Sequence, residues 1–224
     1  MYFFKIFRYL GFHSKTIGHI VVPMSRPRRS EHVRESLIQI GIEQFSEHGY
    51  HGTGIKQILD QVGVPKGSFY NFFASKEAFV AELIERYSHG YLLQVKEYVA
   101  GVGKPLSPVN QLTFIYRFSL EQYKQVGFKQ SCLVGSMAAE ISAESPMCRA
   151  ALEKTVKEWR VFFTAMFEQG QEAGEIRQDI SASALSETYW AAWEGALIIM
   201  KMSADTKPAI RIMDLMLKTL LKAS

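Results

Sequence analysis

Apolar residues recur every three to five positions along most of the chain from Ser30 onward, and no segment alternates apolar and polar residues as a strand does. Glycine, proline and serine interrupt this pattern at intervals. They mark helix ends, because serine caps helix N-termini, proline fits the first turn and glycine favours helix termination. The pattern predicts an all-α protein of about nine helices, which begin near residues 30, 53, 65, 76, 108, 131, 146, 183 and 206.

The second and third predicted helices are short and lie on either side of Gly63. A glycine turn, a small apolar residue such as Val64 and a following helix with small, polar or basic outward residues are typical of a helix-turn-helix. Here that helix would carry the run KGSFYN. The pattern therefore predicts a segment that enters the major groove of DNA.

Charge supports this prediction, since the formal net charge of +4 is unevenly distributed. Residues 1–76 hold 10 Lys and Arg against 5 Asp and Glu, whereas the remainder holds 16 against 17. A basic N-terminal third attached to a nearly neutral remainder is typical of a nucleic-acid-binding module joined to a second domain.

Composition and missing motifs exclude several classes of protein. With 47% apolar residues the chain can form a core, and it has no run of about 18 uncharged apolar residues that could span a membrane. Cys132 and Cys148 lack the spacing of a zinc site, and we expect them to be free thiols in the cytoplasm. The GxSxG, HExxH, P-loop and GxGxxG motifs are absent, and every histidine lies at or before His89. We therefore expect no enzyme activity, cofactor or metal.

Residues 1–29 form a basic N-terminal extension. Lys5 and Arg8 interrupt its apolar start, which argues against a secretory signal. We expect Met24 to be the natural start and residues 1–23 to be an artefact of start assignment; the alternative is a short amphipathic membrane anchor. Three arginines before the first helix are candidates for an arm that follows the DNA backbone or minor groove: Arg26, Arg28 and Arg29.

The segment GYHGTGIKQILDQVGVPKGSFYNFFASKEAF, residues 49–79, resembles the DNA-binding domain of the TetR family of transcriptional regulators, and the match extends over about residues 30–87. The resemblance implies a DNA-binding domain over 30–90, an effector-sensing and dimerisation domain over 91–224, and a helix-turn-helix over 54–73. The DNA-binding residues that it implies are Gly54, Lys66, Gly67, Ser68, Tyr70, Asn71 and Lys76.

Two features of this segment leave alternatives open. Asn71 stands where many members of the family have histidine, and asparagine can pair with adenine or contact a phosphate. Phe69, Phe72 and Phe73 recur at helical spacing. We expect them to be core residues rather than platforms on which bases stack.

The runs GFKQSCLVGSMAAEISAESPMCRAALEKTVKEWR and YWAAWEGALIIMKM resemble the branch of this family that includes the N-ethylmaleimide-responsive repressor and the acrylate-responsive regulator. That branch represses genes for enzymes that remove reactive electrophiles, and the resemblance implies that Cys132 is the sensor. Ser131 replaces the glycine of the branch's G-C-L run, while Cys132 and Leu133 are kept.

The residues themselves suggest how Cys132 would react. A thiol at a helix N-terminus, with Lys129 just before it, should favour the thiolate. Lys201 shares a helix face with Glu194, and we predict that its amine approaches Cys132 and lowers the thiol pKa. The alternatives are a buried, inert Cys132 and a surface Lys201. Candidate pocket residues, each of which also suits a core, are Phe118, Tyr189, Trp190, Trp193 and Glu194.

A helix-turn-helix protein reads a two-fold symmetric DNA site as a dimer, so we expect a homodimer on double-stranded operator DNA. The last two helices offer an apolar face made of Ala191, Gly195, Ile198, Ile212, Leu215, Met216 and Leu220. We expect a repressor that an electrophile or oxidant releases through Cys132. The alternative is a repressor that binds a small carboxylate or other molecule without covalent chemistry, with Lys201 as the counter-ion.

Overall fold

The computed structural model describes residues 29–223, and helices dominate this part of the chain. It contains eight α-helices and one 3₁₀ helix, and it confirms the all-α prediction. Within these residues the only β pairing is an isolated bridge between Ile176 and Lys222. In chain order the helices are α1 (Arg29–Gly52), α2 (Ile55–Val62), the 3₁₀ helix (Lys66–Asn71), α3 (Lys76–Ala100), α4 (Pro108–Gln125), α5 (Leu133–Ile141), α6 (Pro146–Glu172), α7 (Ala182–Ser203) and α8 (Lys207–Leu215), which continues into a π-helical turn (Met216–Leu220).

Two of the predicted helix starts are confirmed by the serine side chains that cap them, at α3 and α6. The Ser75 hydroxyl accepts a hydrogen bond from the backbone N–H of Ala78, and Ser145 caps α6 in the same way. In α7 the cap is Ser181 rather than the predicted Ser183. Residues 1–28, which include Arg26, Arg28 and Met24, lie outside the described residues, as does the side chain of Arg29.

Three predicted boundaries are wrong in detail. The chain resumes a helical turn after Gly49, whose φ of 73° kinks α1 before its end at Gly52. Thr53 does not cap α2, because its hydroxyl donates instead to the carbonyls of Gln44 and Gly49; Gly54 is the N-cap residue. The predicted third helix is a single 3₁₀ segment, and Pro65 precedes it in extended conformation.

The short helix α5 connects the N-terminal helices, which are α1, α2 and the 3₁₀ helix, with the C-terminal bundle, which consists of α3, α4, α6, α7 and α8. It packs along α1 on one side and against α6 on the other, while the long helices α3, α6 and α7 pack successively on one another and α8 packs on α7. The bundle core is aromatic: the Trp159 indole N–H on α6 donates to Ser88 on α3 at 2.8 Å, and Trp159 stacks on Phe163. This arrangement places Cys132, the N-cap residue of α5, between the two parts of the protein.

Candidate functional site

The 3₁₀ helix presents a polar surface to solvent. Tyr70 is exposed over 68% of its surface, and Lys66, Gly67 and Asn71 are exposed as well, whereas Ser68 is half-buried. Nothing lies within 4 Å of a Cβ placed on Gly67, so the backbone there is open to a close approach. Five of the seven residues that the sequence assigns to DNA thus lie on one accessible segment.

The aromatic residues of this segment form its core, as predicted. Phe69 and Phe73 are almost fully buried, and Phe72 packs at the edge of the same cluster. Phe69 meets Phe79 of α3 edge to face, with ring centroids 5.3 Å apart. These contacts fix the 3₁₀ helix on α3, so the orientation of α3 determines the orientation of the exposed Tyr70.

Two predicted DNA residues lie outside the 3₁₀ helix: Gly54, which is exposed at the N-cap of α2, and Lys76, which is held by the protein. Its ammonium donates to the backbone carbonyls of Tyr50 at 2.7 Å and Thr53 at 2.8 Å, and it lies over the Tyr50 ring. Burial lowers the pKa of Lys76, against the opposing effect of Glu140 and Glu77. An ammonium has three donors, so one remains for a phosphate. Lys76 therefore joins the end of α1 to the start of α3, and its contact with DNA stays a prediction.

A cavity of about 250 Å³ lies between α1 and the helices of the C-terminal bundle. Aromatic rings make up much of its wall, with serine hydroxyls and glutamine amides between them. Its lining includes Ser46, Tyr87, Ser88, Tyr91, Gln94, Tyr116, Ser119, Gln122, Tyr123, Ser131, Cys132, Trp159, Phe163, Tyr189, Trp190 and Trp193. A site with mainly apolar walls and a few convergent polar groups is typical of small-molecule binding.

Three of the five predicted pocket residues line this cavity. Tyr189, Trp190 and Trp193 line it, and Glu194 lies behind Cys132. Phe118 does not line it: its ring stacks on Phe114, with centroids 5.7 Å apart, and borders a separate small pocket. The helical periodicity placed Phe118 on an apolar face of α4 without showing which neighbour that face meets.

Cys132 forms part of the cavity wall and is only 8% exposed. Burial raises the pKa of its thiol well above the usual value, and the Glu194 carboxyl group raises it further. The backbone N–H groups of Gly135 and Val134 act in the opposite direction but do not outweigh these effects. The predicted thiolate is therefore wrong for this conformation, because loss of hydration and a nearby carboxyl group dominate over the helix N-terminus.

Lys201 lies on the outer side of this region. Its ammonium is exposed and donates to the hydroxyl of Ser131 at 3.4 Å, which places it beside the residue that precedes Cys132. The lowering of the thiol pKa that was predicted from its charge does not occur, since the pKa of Cys132 is raised. Lys201 is also not among the residues that line the cavity.

Glu194 is a buried carboxyl group with one unused oxygen. Burial raises its pKa to about 7, and a hydrogen bond with Cys132 partly opposes that rise. Its Oε1 atom is buried and has no hydrogen-bond partner. A Cβ added to Gly135 would lie 2.2 Å from its Oε2 atom, so the glycine in the first turn of α5 makes room for this carboxyl group.

Several polar residues of the site escaped the sequence prediction. Burial raises the pKa of the Tyr91 phenol to about 12, and this phenol hydrogen-bonds to the Ser119 hydroxyl. Tyr87 and Tyr123, which hydrogen-bond to each other, likewise have raised pKa values because they are buried. Tyr87 and Tyr91 are four residues apart on one helix, and this spacing was the available signal.

Helix α5 is attached to α1 at both of its ends. At the start, the backbone N–H of Ser131 donates to the carbonyl of Ser46 at 2.9 Å, and the Ser131 hydroxyl donates to the same oxygen. Near the end, the Glu140 carboxylate accepts hydrogen bonds from the backbone N–H groups of Tyr50 at 2.9 Å and His51 at 3.2 Å. A shift of α5 would therefore be transmitted to α1.

Cys148 belongs to a different environment. It lies in the first turn of α6, it is fully buried, and its thiol donates to the carbonyl of Glu77 at 3.6 Å. Burial raises the pKa of this thiol, while Ser145 opposes the rise. Both cysteines are free thiols.

The exposed apolar residues of the last helices form a candidate interface. Ile198, Met202, Leu215 and Leu220 are each more than half exposed. Met216, which was predicted to lie on this face, instead packs into the core of its own chain.

Residues 29–223 hold no group of three or more His, Cys, Asp or Glu side chains that could bind a metal ion. Their helices include none that is both long and apolar enough to cross a membrane.

Comparison with known proteins matches both parts of the chain. Residues 37–83 match the family model described as "Bacterial regulatory proteins, tetR family", and residues 108–216 match "Tetracyclin repressor-like, C-terminal domain". The transcriptional regulator AcuR of Cereibacter sphaeroides is 34% identical over 78% of this chain and 78% of its own. The transcriptional repressor DhaR of Mycobacterium sp. (strain GP1) is 30% identical over 86% and 94%. The crystal structure of the reduced form of Escherichia coli NemR superposes with a TM-score of 0.74 and 26% identity, over 86% of this chain and 100% of that one.

Proposed function

Because this chain belongs to the TetR family and is a DNA-binding transcriptional repressor, we propose that a small electrophile releases it from its operator by reacting with Cys132. The observation that carries the proposal is that Cys132 belongs both to the cavity wall and to the start of α5. Its thiol is part of the cavity wall, and its backbone begins the helix that is attached to α1. An adduct at the sulfur enters the cavity and pushes on the start of α5.

The path from the adduct to DNA runs through the hydrogen bonds that link α5 to α1 and α1 to α3. A shift of α5 acts on α1 through Ser131 at one end and Glu140 at the other. The end of α1 is joined to the start of α3 by Lys76, and α3 holds the 3₁₀ helix through Phe79. Displacement of α5 therefore changes the orientation of the exposed Tyr70.

For the DNA side, we assign residues 30–90 to the DNA-binding domain and residues 91–224 to effector sensing and dimerisation. In the 3₁₀ helix, the exposure of four residues supports the proposal that they contact DNA: Lys66, Gly67, Tyr70 and Asn71. Lys56, which is exposed in the first turn of α2 and was not predicted, is a further cation that we propose for a phosphate contact.

We propose that the repressor is a homodimer. The exposed apolar residues of α7 and α8 support this proposal, since an unpartnered apolar face near a chain's end is typical of a two-fold helical interface. The 3₁₀ helix Lys66–Asn71 would then serve as the recognition segment. The dimer would set the distance between its two copies at about one turn of DNA, roughly 34 Å.

A non-covalent inducer is the second candidate function. The cavity favours it independently of any reaction, because it offers about 250 Å³ lined by aromatic rings and hydroxyl groups. The charged groups around the cavity argue against a carboxylate ligand that pairs with Lys201. The Glu194 carboxyl group is buried beside the cavity wall, and Lys201 does not line the cavity. Arg86, at the cavity wall, already pairs with Glu35 and Glu82. The second candidate is therefore an uncharged ligand.

The deciding experiment is fluorescence anisotropy of the protein on DNA from its own upstream region, at fixed salt. The wild type and Cys132→Ser are compared before and after one equivalent of a neutral thiol-reactive electrophile. Release of the wild type alone supports covalent sensing, and Cys148→Ser serves as the matched control that should still respond. Equal release of wild type and Cys132→Ser contradicts covalent sensing and favours the non-covalent ligand.

A further inference from the structure

The Cys132 thiol and the Glu194 carboxyl group form a buried pair at the edge of the cavity. We propose that Glu194 takes the thiol proton when Cys132 adds to an uncharged α,β-unsaturated carbonyl compound in the cavity, and then returns that proton to the adduct. This inference rests on the proposed function, because it supplies the chemical step by which Cys132 would react. It makes Glu194 a catalytic group for the protein's own modification.

The geometry places the two groups together from separate helices. Cys132 is the N-cap residue of α5, and Glu194 reaches it from α7 across Gly135. A side chain at position 135 would occupy the place of the Glu194 Oε2 atom, since its Cβ would lie 2.2 Å away. Each group shifts the pKa of the other, so the two side chains are near enough to interact without any rearrangement of the helices.

One carboxyl oxygen of Glu194 has no hydrogen-bond partner among residues 29–223. Its Oε1 atom is buried and unpartnered, and such a group costs folding free energy unless a ligand or proton uses it. Other titratable groups that face this carboxyl are the phenols of Tyr87 on α3 and Tyr123 on α4, both neutral and buried. Lys201 lies on the outer side, against Ser131. Glu43 also lines the cavity, where it accepts a hydrogen bond from Gln39. Of these two carboxyl groups, Glu194 is the one that acts on the pKa of the Cys132 thiol.

The resting state of the thiol explains why a base is needed. Burial keeps the Cys132 thiol protonated near neutral pH, and a protonated thiol is a poor nucleophile. A carboxyl group whose pKa is about 7 is half ionised at that pH, which is the condition that suits a general base. The backbone N–H groups of Val134 and Gly135 then stabilise the negative charge that develops on the sulfur.

The atoms and electrons of the step balance without an oxidant. The S–H bond breaks as its proton moves to the Glu194 carboxylate, and the sulfur electron pair forms a C–S bond at the β-carbon. The C=C electrons move onto the carbonyl as an enolate, which takes the proton from the Glu194 carboxylic acid at the α-carbon. The products are a thioether and the original carboxylate.

The test measures the rate at which N-ethylmaleimide modifies Cys132 in the full-length protein, by peptide mass spectrometry between pH 6 and 9. The wild type should show a rate that rises through pH 7 and then levels off. Glu194→Gln should react about 10²-fold more slowly at pH 7, with a rate that keeps rising with the thiol's own ionisation above pH 8. Cys148, followed in the same samples, is the internal control whose rate should not change.

The sign of the change separates catalysis from repulsion. If Glu194 only repels the thiolate, removing its charge lowers the thiol pKa, and Glu194→Gln reacts faster than the wild type; that outcome overturns the inference. Gly135→Ala gives an independent variant, since it keeps the carboxyl group but displaces it from the thiol, and it should also react more slowly. A faster Gly135→Ala contradicts the inference in the same way.

The same data distinguish failure of this inference from failure of the proposed function. Suppose that Cys132 is modified at equal rates in wild type and Glu194→Gln, and that modification still releases DNA. Glu194 is then not the base, while Cys132 remains the sensor. If wild-type Cys132 is not modified while the unfolded chain is, both proposals are overturned.

Discussion

The carboxylate of Glu140, in the last turn of α5, accepts a hydrogen bond of 2.9 Å from the backbone N–H of Tyr50, just beyond the kink at Gly49 in α1. Gly49 has a φ of 73°, and a Cβ there would lie 2.2 Å from the Glu140 carboxylate. Only glycine allows the carboxylate to approach this turn so closely. The contact joins residues that are 90 positions apart in the chain and links the C-terminal bundle to the helices proposed to bind DNA.

Replacing Glu140 should therefore weaken the connection between the cavity and DNA. Glu140→Ala removes two hydrogen bonds to a charged acceptor, and we expect the free energy of unfolding to fall by about 1 to 3 kcal/mol. We also expect a smaller loss of DNA affinity after modification of Cys132, because α5 would move without carrying α1. Urea unfolding and anisotropy measure the two effects, and the exposed Glu153→Ala is the control. An unchanged response to the electrophile would contradict this path.

Removing one exposed cation of the recognition segment should affect DNA binding alone. Lys66 is exposed on the 3₁₀ helix, and we expect Lys66→Ala to weaken binding to operator and to unrelated DNA alike, if it contacts a phosphate. The slope of log affinity against log salt concentration should decrease by about 1 per recognition segment. The exposed Lys157→Ala, on α6, is matched in charge and should leave the slope unchanged. An unaltered slope for Lys66→Ala would place the phosphate contacts elsewhere.

Much of the fold follows from local signals in the sequence. Ser75 and Ser145 cap helices because a serine before a helical pattern satisfies free backbone N–H groups, and this effect depends on only a few adjacent residues. The burial of Phe69 and Phe73 follows from their spacing for the same reason. The 3₁₀ form of the recognition segment was not predictable, since the difference between the two helix types there depends on packing against α3.

The site was less predictable because its chemistry depends on contacts between distant helices. The sequence placed Cys132 at a helix N-terminus, where local electrostatics favours the thiolate. The opposite outcome arises from burial and from Glu194, which is 62 positions away and reaches the thiol only after α7 packs on α5. The same limit applies to Phe118, whose apolar helix face meets Phe114 rather than the cavity. A helical pattern identifies a buried face but not the group that it meets.

The ionisation of Glu194 should make stability depend on pH. Burial raises its pKa from 4.5 to about 7, so the folded protein holds one more proton than the unfolded chain between these values. Stability therefore falls as pH rises from 5 through 7, and is constant above. Compared with Glu194→Gln, we expect the wild type to lose about 2 to 3 kcal/mol of unfolding free energy between pH 5 and pH 8. Urea unfolding at the two pH values tests this, with the exposed Glu153→Gln as the control. Equal losses of unfolding free energy in wild type and Glu194→Gln would exclude a buried, titrating Glu194.

A charge on the apolar face of α7 should abolish the proposed dimer. Ile198 is 63% exposed, and Ile198→Asp places a carboxylate where a second copy would cover it. We expect a monomer by analytical ultracentrifugation with an unchanged helical circular dichroism spectrum, because Ile198 contributes little to the core of its own chain. DNA affinity should fall by at least tenfold, since each recognition segment would bind alone. The equally exposed Val102, between α3 and α4, provides the control Val102→Asp, which should remain dimeric. A dimeric Ile198→Asp that still binds its operator would move the interface to another face of the molecule.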